Sequence, residues 1–188
     1  MESRKITAKT PRTTTFIVDN MYKRLSRWLR LLGYDATFDT SLEDDEYPPI
    51  AIKENRILLT RDDVLAEKAI KQGAKTIVIK GLSIEEKLVH LHKESGIELS
   101  FSDDILPRCS NCNGELKVVD KKKVAKLVPE GTREYFDLFW QCKDKKCAKV
   151  YWKGSHWQKM EDTLKNCQEL LKKEKKDSTK KDKKKKDD

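Results

Sequence analysis

The chain has 188 residues, a net charge of +9 and 37% apolar residues. This length allows one large domain or a medium domain with a small one, and the apolar content supports a hydrophobic core. No apolar run approaches the length of a membrane span, and the N-terminal residues lack the apolar middle of a secretory signal, so a cytoplasmic protein is expected. In a reducing compartment, five cysteines indicate metal ligands or free thiols rather than a disulfide framework.

The positive charge lies mainly in the two flanks of the chain. Residues 1–15 carry a net charge of +3 and residues 171–188 carry +5, which leaves +1 for the residues between them. Basic tails favour nucleic acid through counterion release, whereas a solubilising, disordered tail has the same composition. Residues 1–15 are therefore expected to form a flexible basic arm, residues 161–171 a terminal helix and residues 172–188 a disordered lysine-rich tail.

A strand followed directly by a basic helix opens the body of the chain. Phe16-Ile17-Val18 is typical of a short buried strand, and Asp19 stands where that strand ends. The apolar residues that recur at helical spacing behind it are expected to face the sheet, and the basic residues to lie on the other sides. The first set is Met21, Leu25, Trp28, Leu29 and Leu32, and the second is Lys23, Arg24, Arg27 and Arg30.

Strands and helices continue to alternate as far as about residue 106. Further strands are expected over 34–38, 56–60 and 76–79, and helices end near residues 54, 72 and 95. Pro48 and Pro49 fit the first turn of the first of these helices, and Ser83 with Glu86 forms a capping box for the last. This alternation predicts an α/β domain over 16–106, with a mainly parallel sheet flanked by helices.

Carboxylates follow three of the predicted strands, and they should meet at the sheet edge where ligands bind. They are Asp19, the pair Asp44 and Asp45, and the pair Asp62 and Asp63. Grouped oxygen ligands suit Mg²⁺ or Mn²⁺, and such an ion can activate a water nucleophile and stabilise charge on phosphoryl oxygens. The pattern predicts metal-assisted phosphodiester hydrolysis, with phosphates positioned by Arg24, Arg27 and Arg61. The alternative is that these acids are helix caps and these arginines are merely solvated.

Four cysteines on two tight turns indicate a second, smaller domain over 107–160. Cys109 and Cys112 form the first turn, and Cys142 and Cys147 form the second. Two thiolate pairs separated by short strands can close a tetrahedral structural zinc site, and zinc would supply the folding energy of so small a segment. Cys167 lies outside this pattern and is interpreted as an ordinary thiol.

Aromatic residues are concentrated in the same segment. Trp152 and Trp157, with Lys153 and His156 beside them, are candidates for stacking on RNA bases. A role as hydrophobic core is the alternative, and the sequence alone does not distinguish the two.

Five blocks of the sequence occur in the order found in a known family, and together they span about Phe16 to Met160. They are FIVDNMYKRLSRWLRLLGYD, the Asp44-Asp45-Glu46 group, RILLTRDD, CSNCNGEL and VYWKGSHWQKM. In these blocks the chain resembles the Mut-seven C-terminal RNase domain family of archaea and bacteria, whose members join a PIN-like nuclease domain to a zinc ribbon. The resemblance implies an acid-dependent ribonuclease with Asp19, Asp45 and Asp62 on the acidic positions of the family.

The function expected from the sequence is therefore that of a Mg²⁺- or Mn²⁺-dependent endoribonuclease. Because some rRNA-processing nucleases also join a PIN domain to a zinc ribbon, rRNA is one candidate substrate by analogy. The alternative is an RNA- or ribosome-binding protein with a weak or inactive nuclease site. Binding would then come from the ribbon, the basic tails and the basic face of the first helix.

Overall fold

The computed structural model describes residues 12–101 and 107–184, with side chains described as far as residue 176. Residues 1–11 of the arm predicted over 1–15, the predicted domain boundary near residue 106 and the last residues of the predicted tail lie outside these ranges. Among the described helices, none combines the length and the apolar character that a membrane span requires.

The first domain contains a four-stranded parallel sheet. Its strands are β1 (Thr15–Val18), β2 (Asp35–Thr37), β3 (Ile57–Thr60) and β4 (Thr76–Val78), in the order β2-β1-β3-β4. Strand β2 lies on one side of β1, and the chain then crosses over, so that β3 and β4 lie on the other side. The strand order therefore reverses between β1 and β3. Such a topological switch point opens a crevice at the carboxyl ends of the strands. The prediction of a mainly parallel sheet flanked by helices is confirmed.

Helices cover both faces of this sheet. They are α1 (Lys23–Leu31), α2 (Tyr47–Lys53), α3 (Asp63–Lys71) and α4 (Ile84–Ser95). Phe16 and Val18 pack with α1 and α4 on one face, while Ile17 packs with α2 and α3 on the other. This alternation follows from the two-residue period of a strand. The predicted prolines in the first turn of α2 and the capping box of α4 are both present.

The start of the first helical stretch differs from the sequence prediction. Met21 is 53% exposed, and Tyr22 is buried instead and donates a hydrogen bond from its hydroxyl to the Ile79 carbonyl. The reason is a 3-10 turn over Asn20–Tyr22, which advances about 120° per residue rather than the 100° of an α-helix. The apolar phase of α1 proper therefore begins at Leu25.

The ribbon domain is a three-stranded antiparallel sheet of β5 (Leu116–Val119), β6 (Phe139–Cys142) and β7 (Val150–Tyr151). A 3-10 turn (Lys121–Val124) and a short helix, α5 (Glu130–Tyr135), lie between β5 and β6. The sequence did not predict these helical segments, because six residues are too few to show a helical period.

One long helix, α6, spans Ser155–Lys184 and corrects the prediction of a helix limited to 161–171. The prediction of disorder beyond residue 171 is wrong for the described part of that segment. The helix contains no glycine or proline, and lysine and glutamate favour helix. Its first half packs on the first domain through Leu164 and Cys167, and Lys93 of α4 pairs with Glu174.

Polar contacts join the ribbon to β2 at the edge of the parallel sheet. Arg30 donates from Nε to the Ala36 carbonyl (2.8 Å) and from Nη1 to the Ser110 (3.2 Å) and Asn111 (3.1 Å) carbonyls. The side chain of Asn113 accepts a hydrogen bond from the Ala36 amide (3.2 Å). The prediction that Arg30 lies on the outer side of α1 is wrong, since these carbonyls bury it to 4% exposure.

Candidate functional site

The carboxyl ends of β1 and β3 are joined by side-chain hydrogen bonds at the switch point. Asp19, which follows β1, is 5% exposed, and its Oδ2 accepts a hydrogen bond from the Thr60 hydroxyl at 2.6 Å. The same hydroxyl accepts a hydrogen bond from the Asp62 amide at 3.0 Å. Thr60 is fully buried at the end of β3. A single hydroxyl therefore fixes the position of Asp19 relative to the loop that carries Asp62.

Asp62 is the N-cap of α3, as the helix-cap alternative anticipates. Its Oδ1 accepts hydrogen bonds from the Val64 and Leu65 amides at 2.8 and 2.9 Å. Both amides donate to the same oxygen. The other oxygen of this exposed carboxylate, Oδ2, is therefore not used in capping the helix. Asp63 is the exposed first residue of α3.

The acids after β2 lie in a 3-10 turn over Asp44–Glu46, directly before α2. Both Asp44 and Asp45 are exposed. Asp45 forms an ion pair with Lys68 of α3, so its charge is already balanced by a neighbouring cation. Lys68 was not singled out in the sequence, because the contact joins residues that are distant along the chain.

Tyr47, the first residue of α2, is a second neighbour of Asp19 that the sequence did not reveal. Its side chain is fully buried, and its hydroxyl has no hydrogen-bond partner among the described residues. Burial, together with the negative charge of Asp19, raises the pKa of Tyr47 to about 12. Tyr47 therefore stays neutral at physiological pH and adds no charge near the Asp19 carboxylate.

The acidic side chains approach one edge but do not form a closed cage. Among the described residues, one group of three or more potential metal ligands has all of its ligand atoms within 4.8 Å of one another. This group consists of the four ribbon cysteines. No three of the carboxylates after β1, β2 and β3, which together form the acidic edge, have ligand atoms within this distance of one another. An ion at this edge would therefore take part of its shell from water or substrate oxygens, as Mg²⁺ does.

The three arginines predicted to position phosphates are all exposed. Arg24 and Arg27 lie on α1, and Arg61 follows β3. Arg27 lines a cleft of about 280 Å³ together with Lys23, Arg30 and the Ser110 end of the ribbon. The cleft places cationic side chains along α1, opposite Asp39 and the Ser110-Asn111 turn of the ribbon.

The four ribbon cysteines lie together in an arrangement that could hold a metal ion. The Sγ atoms of Cys109 and Cys147 are 3.6 Å apart, and those of Cys112 and Cys142 are 3.5 Å apart. A zinc tetrahedron with bonds of 2.3 Å has edges of about 3.8 Å, so the thiol set matches a structural zinc site with no open position. Burial opposes ionisation of Cys109, but hydrogen bonds from the Tyr151 hydroxyl and from backbone amides outweigh it and lower its pKa to about 7.

The turns that carry these thiols need unusual backbone conformations. Asn113 has a φ of +67° and Ala148 a φ of +45°, each one residue after a cysteine. A Cβ on Gly114 would lie 3.0 Å from the Cys142 Sγ and 3.3 Å from the Cys112 Sγ. Glycine at this position therefore allows the backbone to approach the thiols closely.

The candidate RNA-stacking residues cluster where the ribbon meets α6. Trp152, His156 and Trp157 line one cavity. Trp157 stacks on Phe101 with ring centroids 4.4 Å apart, and the Lys153 ammonium lies 5.0 Å from the Trp157 ring centroid. Trp152 packs against Phe139 in the ribbon core at 6.4 Å. Each tryptophan is only partly buried, so packing uses part of the ring and leaves part at the cavity.

The family model for the Mut7-C RNAse domain matches residues 14–164, which include the parallel sheet, the ribbon and the start of α6. The chain belongs to this family. No curated protein and no solved structure matches it. Membership of the Mut7-C family indicates a nuclease-type domain with RNA as its class of substrate. The resemblance found in the sequence is thereby confirmed.

Proposed function

We propose that this Mut7-C protein is an endoribonuclease that hydrolyses RNA phosphodiesters with Mg²⁺ or Mn²⁺ at its acidic edge. The observation that carries the proposal is the hydrogen-bonded connection from Asp19 through Thr60 to Asp62 across the switch point. A buried carboxylate is costly unless it is paired or binds a cation. Its location at the crevice where α/β sheets bind ligands favours a catalytic role over a purely structural one.

The proposed ligands differ in how firmly the protein holds them. Asp19 is fixed by the Thr60 hydroxyl and by the Met21 amide. Asp62 is fixed through one oxygen and presents the other. Asp45 would complete the set by leaving its ion pair with Lys68, and the neighbouring Asp44 and Asp63 are further candidates.

Mg²⁺ or Mn²⁺ at these carboxylates would lower the pKa of a water nucleophile and neutralise charge on the phosphoryl oxygens. Arg24, Arg27 and Arg61 would position the phosphate groups of the RNA around this edge, because guanidinium groups bind phosphate oxygens in a bidentate manner. Zinc at the four cysteines would hold the ribbon in its fold and take no part in the chemistry.

A second candidate function is RNA or ribosome binding with a weak or inactive nuclease site. The ion pair between Asp45 and Lys68 favours it, because a lysine ammonium already occupies a position next to the acidic edge. The ribbon aromatics, the cationic cleft and the lysines of α6 would then bind the RNA. In either case rRNA is a candidate, since a large structured polyanion suits a chain with separate cationic surfaces.

Cleavage of a structured RNA with Mn²⁺, with Mg²⁺ or with neither ion added tests the proposal. Asp19→Asn keeps the size and hydrogen-bonding capacity of the side chain but removes its charge, so we expect cleavage to fall by about a hundredfold or more while RNA binding persists. Asp120→Asn, at the cap of a ribbon turn, is the matched control and should cleave normally. Metal-dependent cleavage that survives in Asp19→Asn would contradict the scheme, and binding with no metal-dependent cleavage by the unaltered protein would favour the second candidate.

A further inference from the structure

A large cavity lies between the ribbon, the start of α6 and the last residue of α1. Its volume is about 1110 Å³, at the upper end of the range for small-molecule sites. The walls come from Trp140, Tyr151 and Trp152 of the ribbon, Trp157 and Met160 of α6, and Leu31 of α1. This space is separate from the acidic edge, because α1 lies between them and its nine residues extend for about 13 Å.

Aromatic rings make up much of the wall of this cavity, together with a smaller number of aliphatic side chains. One ring, Tyr135 of α5, is 82% exposed although it lines the cavity. Tyr135 contributes little to the ribbon core at that exposure. Planar, partly exposed rings suit planar ligands, and bases stack on such rings whatever their sequence.

The aromatic cavity adjoins the cleft along α1, which carries cationic side chains. Ser110 lines both the aromatic cavity and the cationic cleft along α1. Lys23 and Arg27 are exposed in that cleft, and Lys149 and His156 line the cavity itself. A strand whose phosphates follow the cleft can therefore place its bases in the cavity.

We propose that the cavity binds unpaired bases of the RNA whose backbone lies in the cleft along α1. Tyr135 and Trp152 stack on the bases. The inference rests on the proposed RNA substrate but not on cleavage. The site holds single-stranded RNA at a distance from the acidic edge, which makes flexible or looped regions the preferred substrate.

The test measures binding rather than cleavage, with the full chain carrying Asp19→Asn and no added Mg²⁺ or Mn²⁺. The probes are a short single-stranded RNA of mixed sequence and a ribose-phosphate strand of the same length without bases. Tyr135→Leu should weaken binding of the base-bearing RNA by about 5- to 100-fold and leave binding of the strand without bases unchanged. The slope of log affinity against log salt concentration should be the same in Tyr135→Leu as in the unaltered cavity, because Tyr135 carries no charge that could neutralise a phosphate.

A pair of glycine variants provides a second comparison. A Cβ at Gly154 would lie 2.8 Å from the Trp152 Nε1, so Gly154→Ala should displace that ring and weaken binding of the base-bearing RNA. A Cβ at Gly131 of α5 has open space around it, so Gly131→Ala is the control and should bind normally. Unchanged affinity in both Tyr135→Leu and Gly154→Ala would overturn the proposal. Equal affinity of the protein with an unaltered cavity for the base-bearing RNA and for the strand without bases would also overturn the proposal.

Discussion

The cysteine centre and the acidic edge are two candidate metal sites that the same chain builds in opposite ways. The four thiols all lie within 4.8 Å of one another. No three of the carboxylates have ligand atoms within this distance of one another, and each is held by a different partner: Asp19 by Thr60, Asp45 by Lys68 and Asp62 by the start of α3.

The difference follows from what each ion requires. A structural zinc site needs a complete tetrahedron of protein ligands, so the chain itself must supply all four. Mg²⁺ and Mn²⁺ keep waters and also take phosphate oxygens as ligands, so at the carboxylates part of the shell of such an ion would arrive with the RNA. The two sets of side chains would therefore hold their ions in different ways.

Removing one thiol should have the largest effect. In Cys109→Ser the tetrahedron is incomplete, and we expect loss of the bound zinc and unfolding of the ribbon, because zinc supplies about 10 kcal/mol or more in small zinc domains. Metal analysis and circular dichroism measure both results. Cys167→Ala, in a buried thiol far from the centre, should retain its zinc. A folded ribbon in zinc-free Cys109→Ser would contradict the prediction.

Removing the Thr60 hydroxyl should loosen the acidic edge without altering its charge. Thr60→Val leaves the Asp19 Oδ2 and the Asp62 amide without their shared partner, so we expect a loss of about 1–3 kcal/mol in the free energy of unfolding and slower cleavage. Thr60→Ser keeps the hydroxyl and is the matched control. Cleavage should recover in the serine variant, and equal rates in the two variants would show that the hydroxyl does not position the acids.

Asp35 should make the junction between sheet and ribbon sensitive to acid. Burial opposes its ionisation, but hydrogen bonds from Arg56 and Asn113 outweigh burial and lower its pKa. A pKa that is lower in the folded state than in the unfolded state stabilises the fold above the unfolded value, about 4, and this contribution is lost as the pH falls through the folded value.

Asp35→Asn should therefore cost about 1–3 kcal/mol of unfolding free energy at neutral pH, and the difference from the unaltered protein should shrink below about pH 4. Denaturant titrations across this pH range measure it. The control Asp137→Asn changes a carboxylate whose side chain is 92% exposed and should cost less than about 1 kcal/mol. A difference that persists unchanged in strong acid would refute the assignment.

The smallest change in stability is expected from Lys68→Met. The pair with Asp45 is exposed, so its loss should change the free energy of unfolding by less than about 1 kcal/mol. If Asp45 is a ligand, removing its competitor should lower the Mg²⁺ or Mn²⁺ concentration needed for cleavage. Lys71→Met breaks a pair with Glu67 on the same helix and should not alter this requirement. An unchanged requirement in both variants would remove Asp45 from the proposed ligand set.

Local signals in the sequence were sufficient for most of the fold. The alternation of strands with helices, the capping box at Ser83 and the stop at Gly96 act within a few residues, and the structure contains all of them. The four cysteines could also be recognised from the sequence, because a structural zinc site requires particular residue types at particular spacings.

Features that depend on contacts distant in sequence were not predictable. Arg30 looked like a solvated residue of a basic helix, but its partners Ser110 and Asn111 lie about eighty residues further on. The role of Thr60 depends on the pairing of β1 with β3, which brings its hydroxyl within hydrogen-bonding distance of Asp19. The sequence does not show this pairing. The length of α6 was missed because a lysine-rich sequence is compatible with both helix and disorder.

The junction between Arg30, Asn113 and Ala36 has a consequence for the behaviour of the protein in concentrated solution. Strand β2 is an outer strand of its sheet, and its Ala36 amide and carbonyl bond to two side chains instead of to another strand. An uncovered outer strand is a template on which a second chain can add. Because Asn113 belongs to the ribbon, unfolding of the ribbon without zinc is expected to uncover the Ala36 amide and to promote aggregation through β2.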